Sequence, residues 1–160
     1  MNGIEIRKGT IDDLEQLLIF EQELIKFERA FDPTIKPDPV NYYDLKTMLT
    51  TLHIEVAIAE LNNKIVGSGY ARIDKSKPFL QHSNHAYLGF MYVLPDYRGK
   101  GINKLIMEHL ENWAQSQQIN EFRLEVYFDN ISAIKAYEKI GFLKYSLEMR
   151  YSPKQNKLNG

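Results

Sequence analysis

The sequence predicts a mixed α/β (α+β) fold built on a mostly antiparallel central sheet, and two observations carry that prediction. Its periodic segments run strand, two helices, three strands, helix, strand, helix, strand, the order of a layered sheet-and-helix domain. Three consecutive strands with short connections imply an antiparallel meander, which sets the chain apart from a simple doubly wound nucleotide fold. The 160 residues match one domain, long enough to bury roughly 70% of the unfolded surface. Residues 1–152 are therefore read as a single domain, and 153–160 as a polar tail.

Taken in order, Ile4 and Ile6 mark a short strand, and Thr10 followed by Asp13 marks a helix start with acid near the positive dipole end. Leu14, Leu17, Leu18, Leu24 and Ile25 then recur at helical spacing, widened by Phe20, Phe27 and Phe31. Three prolines between Asp32 and Pro39 break the pattern, and Val40 to Leu52 reads as a second, weaker helix. From His53 the period becomes two: Ile54, Val56 and Ile58 alternate, Asn62-Asn63 turns the chain, and Ile65 to Ile73 returns as a hairpin strand. A polar loop from Asp74 to Asn84 leads to a strand from about His85 to Val93, which Pro95 ends. Ile102, Leu105, Ile106, Leu110 and Trp113 share a face of a third helix, and Phe122 to Phe128 alternates as a strand. Ala133 to Ile140 forms a fourth helix capped by Gly141, and Phe142 to Tyr151 is expected as the last strand.

Composition narrows the function classes. With 44% apolar residues, 26% charged and a net charge of -1, the chain has the balance of an ordinary globular protein and lacks the basic excess of a nucleic-acid binder. The absence of cysteine removes a thiolate nucleophile, a disulfide framework and a Cys-ligated zinc. No apolar run approaches a membrane span and the start lacks signal-peptide character, so no membrane partner and a cytoplasmic location are expected.

The stretch Val93-Leu-Pro-Asp-Tyr-Arg98-Gly-Lys-Gly101-Ile-Asn103-Lys104 joins the end of a strand to an amphipathic helix. Glycines let successive N–H groups converge, the helix dipole adds partial positive charge, and Arg98, Lys100 and Lys104 add full charges. Such a loop suits an anion, most naturally a pyrophosphate; the plainer reading is a tight strand-to-helix connection. Neither the phosphate-loop NTPase spacing nor the three-glycine dinucleotide spacing is present.

This segment resembles the acyl-CoA loop of the GNAT superfamily of N-acyltransferases, Arg/Gln-x-x-Gly-x-Gly/Ala, departing from it at Asn103. Downstream, Asn130-Ile-Ser-Ala133 with Tyr137 and Gly141-Phe142 is similar to the family's second cofactor segment. The resemblance covers about residues 85 to 145. It implies acetyl-CoA as cosubstrate, helices on both faces of the sheet, and a strand pair that splays at a bulge to admit the pantetheine arm beside Met91 and Val93. It further implies that the amides of Arg98, Gly99, Lys100, Gly101, Ile102, Asn103 and Lys104 hold the pyrophosphate. Asn130 would reach the pantetheine and Tyr137 would sit near the sulfur.

Acetyl transfer to an amine needs the neutral amine, whose formation at neutral pH costs about 4 kcal/mol for a pKa of ~10. A base, an oxyanion donor and an acid for the departing thiolate are therefore expected. The donor is placed at an N–H near Met91. Tyr137 matches the family's acid position. For the base, Tyr87 stands where some members carry a Glu, and His85 and Glu125 are the other candidates. His82-x-x-His85 lacks a carboxylate cluster and is not read as a metal site. The first helix and its exit carry Asp12, Asp13, Glu15, Glu21, Glu23, Glu28 and Asp32 against Lys26 and Arg29, either a solvated face or an attraction for a cationic acceptor.

The sequence thus reads as an acetyl-CoA-dependent N-acetyltransferase acting by direct transfer to a small-molecule or peptide amine. A non-catalytic acyl-CoA-binding module is the alternative reading, a nucleotide-binding module a weaker third, and a homodimer is an open assembly.

Overall fold

The computed structural model describes residues 3–153. They form two compact units that divide between Asp129 and Asn130.

The larger unit contains β1 (Ile4–Lys8), α1 (Leu14–Glu28), α2 (Leu45–Thr50), β2 (Ile54–Leu61), β3 (Lys64–Lys75), β4 (Asn84–Val93), α3 (Ile102–Ser116) and β5 (Phe122–Arg123). The sheet runs in chain order from β1 to β5, antiparallel throughout except for the parallel β4–β5 pair. Asn62 and Asn63 both adopt left-handed φ, 51° and 61°, as a two-residue hairpin turn between twisted strands requires.

Alternation along the strands sorts side chains onto two faces. Val56, Ile58, Tyr70, Phe90 and Tyr92 join Leu17 and Phe20 of α1 and Leu45, Met48 and Leu49 of α2 in one core. Each fully buried side chain of the size of Leu17 or Phe20 contributes about 1.5–3 kcal/mol through removal from water. The opposite face receives α3, which buries Ile102, Ile106, Met107, Leu110 and Ala114. Gly69 permits that approach: a Cβ there would stand 2.8 Å from Ile106 Cγ2. Where α1 begins, the Thr10 N–H donates to Asp13 Oδ2 at 2.7 Å, and Arg7 grips the same carboxylate with two 2.8 Å bonds. The expected helix start is present, reached through a short 3-10 turn over Ile11–Asp13.

Three expectations are corrected. The second helix begins at Leu45 and not at Val40, because Asp44 caps it by accepting from the Thr47 N–H at 3.1 Å. The preceding Tyr42 and Tyr43 amides are drawn off to Glu21. The strand expected over Phe122 to Phe128 pairs only at Phe122 and Arg123. Finally, Phe142 to Tyr151 is not a strand: among the described residues its own unit otherwise contains α4 (Ile131–Ile140), so alternating Leu143, Tyr145, Leu147 and Met149 have no strand of that unit with which to form a ladder. Of the tail expected over 153–160, residues 154–160 lie outside the described residues.

Candidate active site

The register between β3 and β4 slips after Ser68, which faces Tyr92, while Tyr70 faces Gly89. Gly69 therefore stands opposite two residues, Phe90 and Met91, and β4 bulges. Phe90 takes φ 54°, a left-handed conformation that costs a non-glycine residue on the order of 1–3 kcal/mol and persists only where its surroundings enforce it. The Tyr70 ring supplies part of that enforcement by lying over Gly89, where a Cβ would meet its ring atoms at 2.8 Å. On its other edge β4 pairs with β5 only at Ala86 and Tyr87. Beyond Tyr87 the two strands part, and among the described residues the main chain from Leu88 to Val93 has no β5 partner. An opening flanked by unpaired backbone accepts an extended polar ligand as it would accept a strand.

The loop after β4 lies at the end of this opening. Pro95–Tyr97 makes one 3-10 turn, Arg98 is extended, and Gly99 and Gly101 adopt φ 72° and 78°. Nothing lies within 4 Å of a Cβ built on either glycine. α3 starts at Ile102 with no side chain capping its first amides. Uncapped N–H groups at a helix start, in an open cradle, form an anion site. Arg98 is fixed beside it: Nε donates to the Val93 carbonyl at 2.9 Å, and the guanidinium lies 5.8 Å from the Tyr92 ring centre. Lys100 covers the Tyr97 ring, and Lys104 pairs with Glu108 at 3.6 Å. The open cradle and its charge suit a diphosphate, and one lone pair of the Val93 carbonyl is already committed to Arg98. A cavity of about 390 Å³ adjoins it, lined by Glu23, Phe27, Ala30, Tyr92 and Arg98 among others.

On the α1 side of the bulge the structure assembles a group the sequence did not reveal. Glu21 is fully buried and accepts from Asn41 Nδ2 at 2.7 Å and from the Tyr42 and Tyr43 N–H groups at 2.8 Å each. It is thus a structural carboxylate that pins the Tyr42-Tyr43 pair, not part of a solvated face or a free charge for a substrate. Tyr43 packs on Phe90 and Tyr70, at 5.1 and 5.7 Å between ring centres, and Tyr70 on Tyr87 at 6.5 Å. Asp13 is likewise buried and paired with Arg7.

The candidate bases fall as follows. Burial, and then the Glu125 carboxylate, push the Tyr87 hydroxyl well above the usual phenol range. Glu125 itself is exposed, near enough to Tyr87 and Tyr70 to be felt by both. His85 is held below the usual imidazole range, first by burial and then by Arg123. Its Nδ1 lies 2.9 Å from Ser76 Oγ, and the six residues of strand to Met91 place it roughly 20 Å from the bulge. His82 contacts Arg123 at 2.9 Å and lines a separate cavity of about 410 Å³ with Asn84 and Glu121.

In the smaller unit, Asn130 Oδ1 caps α4 by accepting from the Ala133 N–H at 3.2 Å, which leaves its amide NH2 for other use. Gly141, at φ 116°, closes the helix, and its N–H and that of Phe142 both reach the Tyr137 carbonyl. The Tyr137 ring meets Phe142 edge-on at 6.0 Å, so the two motif residues fix one another. Among the described residues no helix is long and apolar enough to cross a membrane.

Comparison with known proteins places this geometry. The chain is 28% identical over 153 residues to an N-alpha-acetyltransferase of Saccharolobus solfataricus, covering 91% of this chain and 84% of that one. Its fold superposes with a TM-score of 0.74 on a predicted acetyltransferase from Clostridium acetobutylicum solved with acetyl-CoA, at 20% identity and covering 95% and 97% of the two chains. It superposes with a TM-score of 0.72, at 20% identity over 94% and 98%, on the acetyltransferase AAC(6')-Iy bound to a bisubstrate analogue joining CoA to acetylneamine. The sequence profile of the Acetyltransferase (GNAT) family matches residues 20–142. The bulged strand, the uncapped helix start and the glycine cradle between them are thus features of a chain that belongs to the GNAT family of acetyltransferases.

Proposed function

We propose that this protein transfers the acetyl group of acetyl-CoA directly to a primary amine in a ternary complex. The observation that carries this reading is the unpaired β4 edge running into the uncapped, glycine-lined start of α3. An acyl-CoA has a peptide-like arm for the first and a diphosphate for the second. The amides of Gly99 to Lys104 hold the diphosphate, with Arg98, Lys100 and Lys104 supplying charge, while the main chain at Met91 and Val93 pairs with the pantetheine arm. The likeness to chains solved with acetyl-CoA or a CoA-linked amine supports the same assignment.

The Met91 N–H is the proposed oxyanion donor, because the bulge leaves Met91 without a register partner on β3. Tyr137 is the proposed acid: a phenol is protonated at neutral pH and delivers that proton as the thiolate leaves. Asn130 offers its free amide NH2 to the pantetheine. Without cysteine, the chain has no thiol to carry the acetyl group between two half-reactions.

Two measurements test the reading. Acetyl-CoA binding to the folded state raises Tm by mass action, and an unchanged Tm at saturating acetyl-CoA overturns the cosubstrate assignment. Tyr137→Phe keeps the ring against Phe142 and is expected to lower kcat by about 100-fold with little change in acetyl-CoA affinity. Equal turnover under chemistry-limited conditions removes Tyr137 from the acid role.

A further inference from the structure

The smaller unit has no core of its own: among its described residues none is buried, those of α4 included. After Gly141 the chain alternates. Leu143, Tyr145, Leu147 and Met149 are 88, 86, 64 and 85% exposed, with Lys144, Ser146 and Glu148 between them. In an extended strand this order sets the large apolar side chains on one face and the polar ones on the other. A contiguous apolar row in water marks an interaction surface, and among the described residues this segment enters no ladder that would satisfy its N–H and C=O groups.

We propose that residues 143–149 pair antiparallel with the same residues of a second copy of this chain, giving a two-fold symmetric dimer. The inference is independent of the acetyl-transfer reading. Side chains directly opposite in a ladder share a face, so apolar residues meet apolar ones only where both paired positions are odd or both are even. Two registers of that kind overlap the segment most fully. Centring the two-fold on Leu147 sets Lys144 against Arg150, and like charges directly opposite destabilise a pair. Centring it on Ser146 sets Lys144 against Glu148 twice over, Leu143 against Met149, and Tyr145 against Leu147. Charge therefore selects the second register, in which opposite charges meet on one face and the apolar row is continuous on the other.

A two-stranded ribbon needs a second layer, and α4 of each copy supplies it. The helix is tied to the segment through Glu138, 3.1 Å from Lys144, and through the Tyr137 ring, 6.0 Å from that of Phe142. Covering the row in both copies, at roughly 150 Å² per side chain, removes about 1,200 Å² from water, the lower bound of a stable specific interface. Because each copy offers the same patch, the contact is isologous and closes at two copies.

The test is light scattering on the full chain as it leaves a size-exclusion column, over a range of micromolar concentrations. The wild type is expected at twice the 18.7 kDa mass of one chain. Glu148→Lys sets like charges against Lys144, and Lys144→Glu sets them against Glu148. Each variant alone is expected to weaken the dimer about 30-fold and to run as a single chain. Mixed in equal amounts they are expected to recombine, because every opposed pair in the mixed dimer carries opposite charges. Both side chains are exposed, and circular dichroism checks that the fold is kept. Leu147→Asp, which puts a carboxylate into the apolar row, is a second disruption with the same expected result. A wild type that runs as a single chain throughout overturns the proposal, as does a dimer that neither charge change nor Leu147→Asp weakens. Two dissociated charge variants that fail to recombine overturn it as well.

Discussion

The loop at the start of α3 and the tyrosine-lined group at the end of α1 are built in opposite ways. The loop is contiguous from Val93 to Lys104 and works through its main chain: two left-handed glycines, uncapped amides and a fixed Arg98. The tyrosine group gathers Glu21, Tyr42, Tyr43, Tyr70, Tyr87 and Phe90 from distant segments and works through side chains. Main-chain recognition suits the part of a cosubstrate that never changes. Side chains drawn from separate elements instead depend on tertiary packing, and here that packing holds the β4 bulge.

The assembled region breaks most severely when its buried carboxylate is removed. Glu21→Ala leaves the Tyr42 and Tyr43 amides without their acceptor and opens a cavity beside α1, at a cost of about 3–5 kcal/mol. Chemical denaturation measures it, and a loss below about 1 kcal/mol would show that the pair is held by ring packing alone. Next, Gly101→Asp disables the contiguous region: an L side chain at φ 78° is strained, and its charge opposes a diphosphate. Acetyl-CoA affinity is expected to fall about 100-fold, near 2.7 kcal/mol, and titration calorimetry reads it directly. The smallest effect lies outside both regions and sharpens their separation. The Arg7 hydrogen bonds hold the Asp13 carboxyl below the usual range. A depressed carboxyl stabilises the fold above its unfolded pKa of about 4, and this stability is lost as pH falls through the lower folded value. On the order of 1 kcal/mol is expected to disappear in that acid window, and Arg7→Met should remove the dependence.

This difference also decides what could be read in the sequence. The loop was legible because glycines, basic residues and a helix start follow one another in the chain. The β2–β3 hairpin was legible because Asn62-Asn63 both declares the turn and adopts the φ it needs. Glu21 was not: helical spacing cannot separate a carboxylate facing solvent from one facing the backbone of residues 41–43, some twenty positions away. Tyr42-Tyr43 was not legible either, because it sits in a stretch whose helical pattern is weak. The last strand failed differently, since alternation over Leu143 to Met149 reports a preference and not a partner. Phe90 shows the complement: nothing in its type announces φ 54°, which the Tyr70–Gly89 packing and the two-for-one pairing opposite Gly69 impose.

If the β4 edge and the α3 cradle present acetyl-CoA to an amine, acetyl transfer follows from the fold itself. The most direct measurement is thiol release from acetyl-CoA by the purified protein, followed with and without primary amines such as spermidine and tyramine. Release that depends on the amine, is matched by acetylated amine detected by mass spectrometry, and is abolished in Gly101→Asp is the predicted result. Acetyl-CoA binding with no amine-dependent release from any primary amine would contradict it.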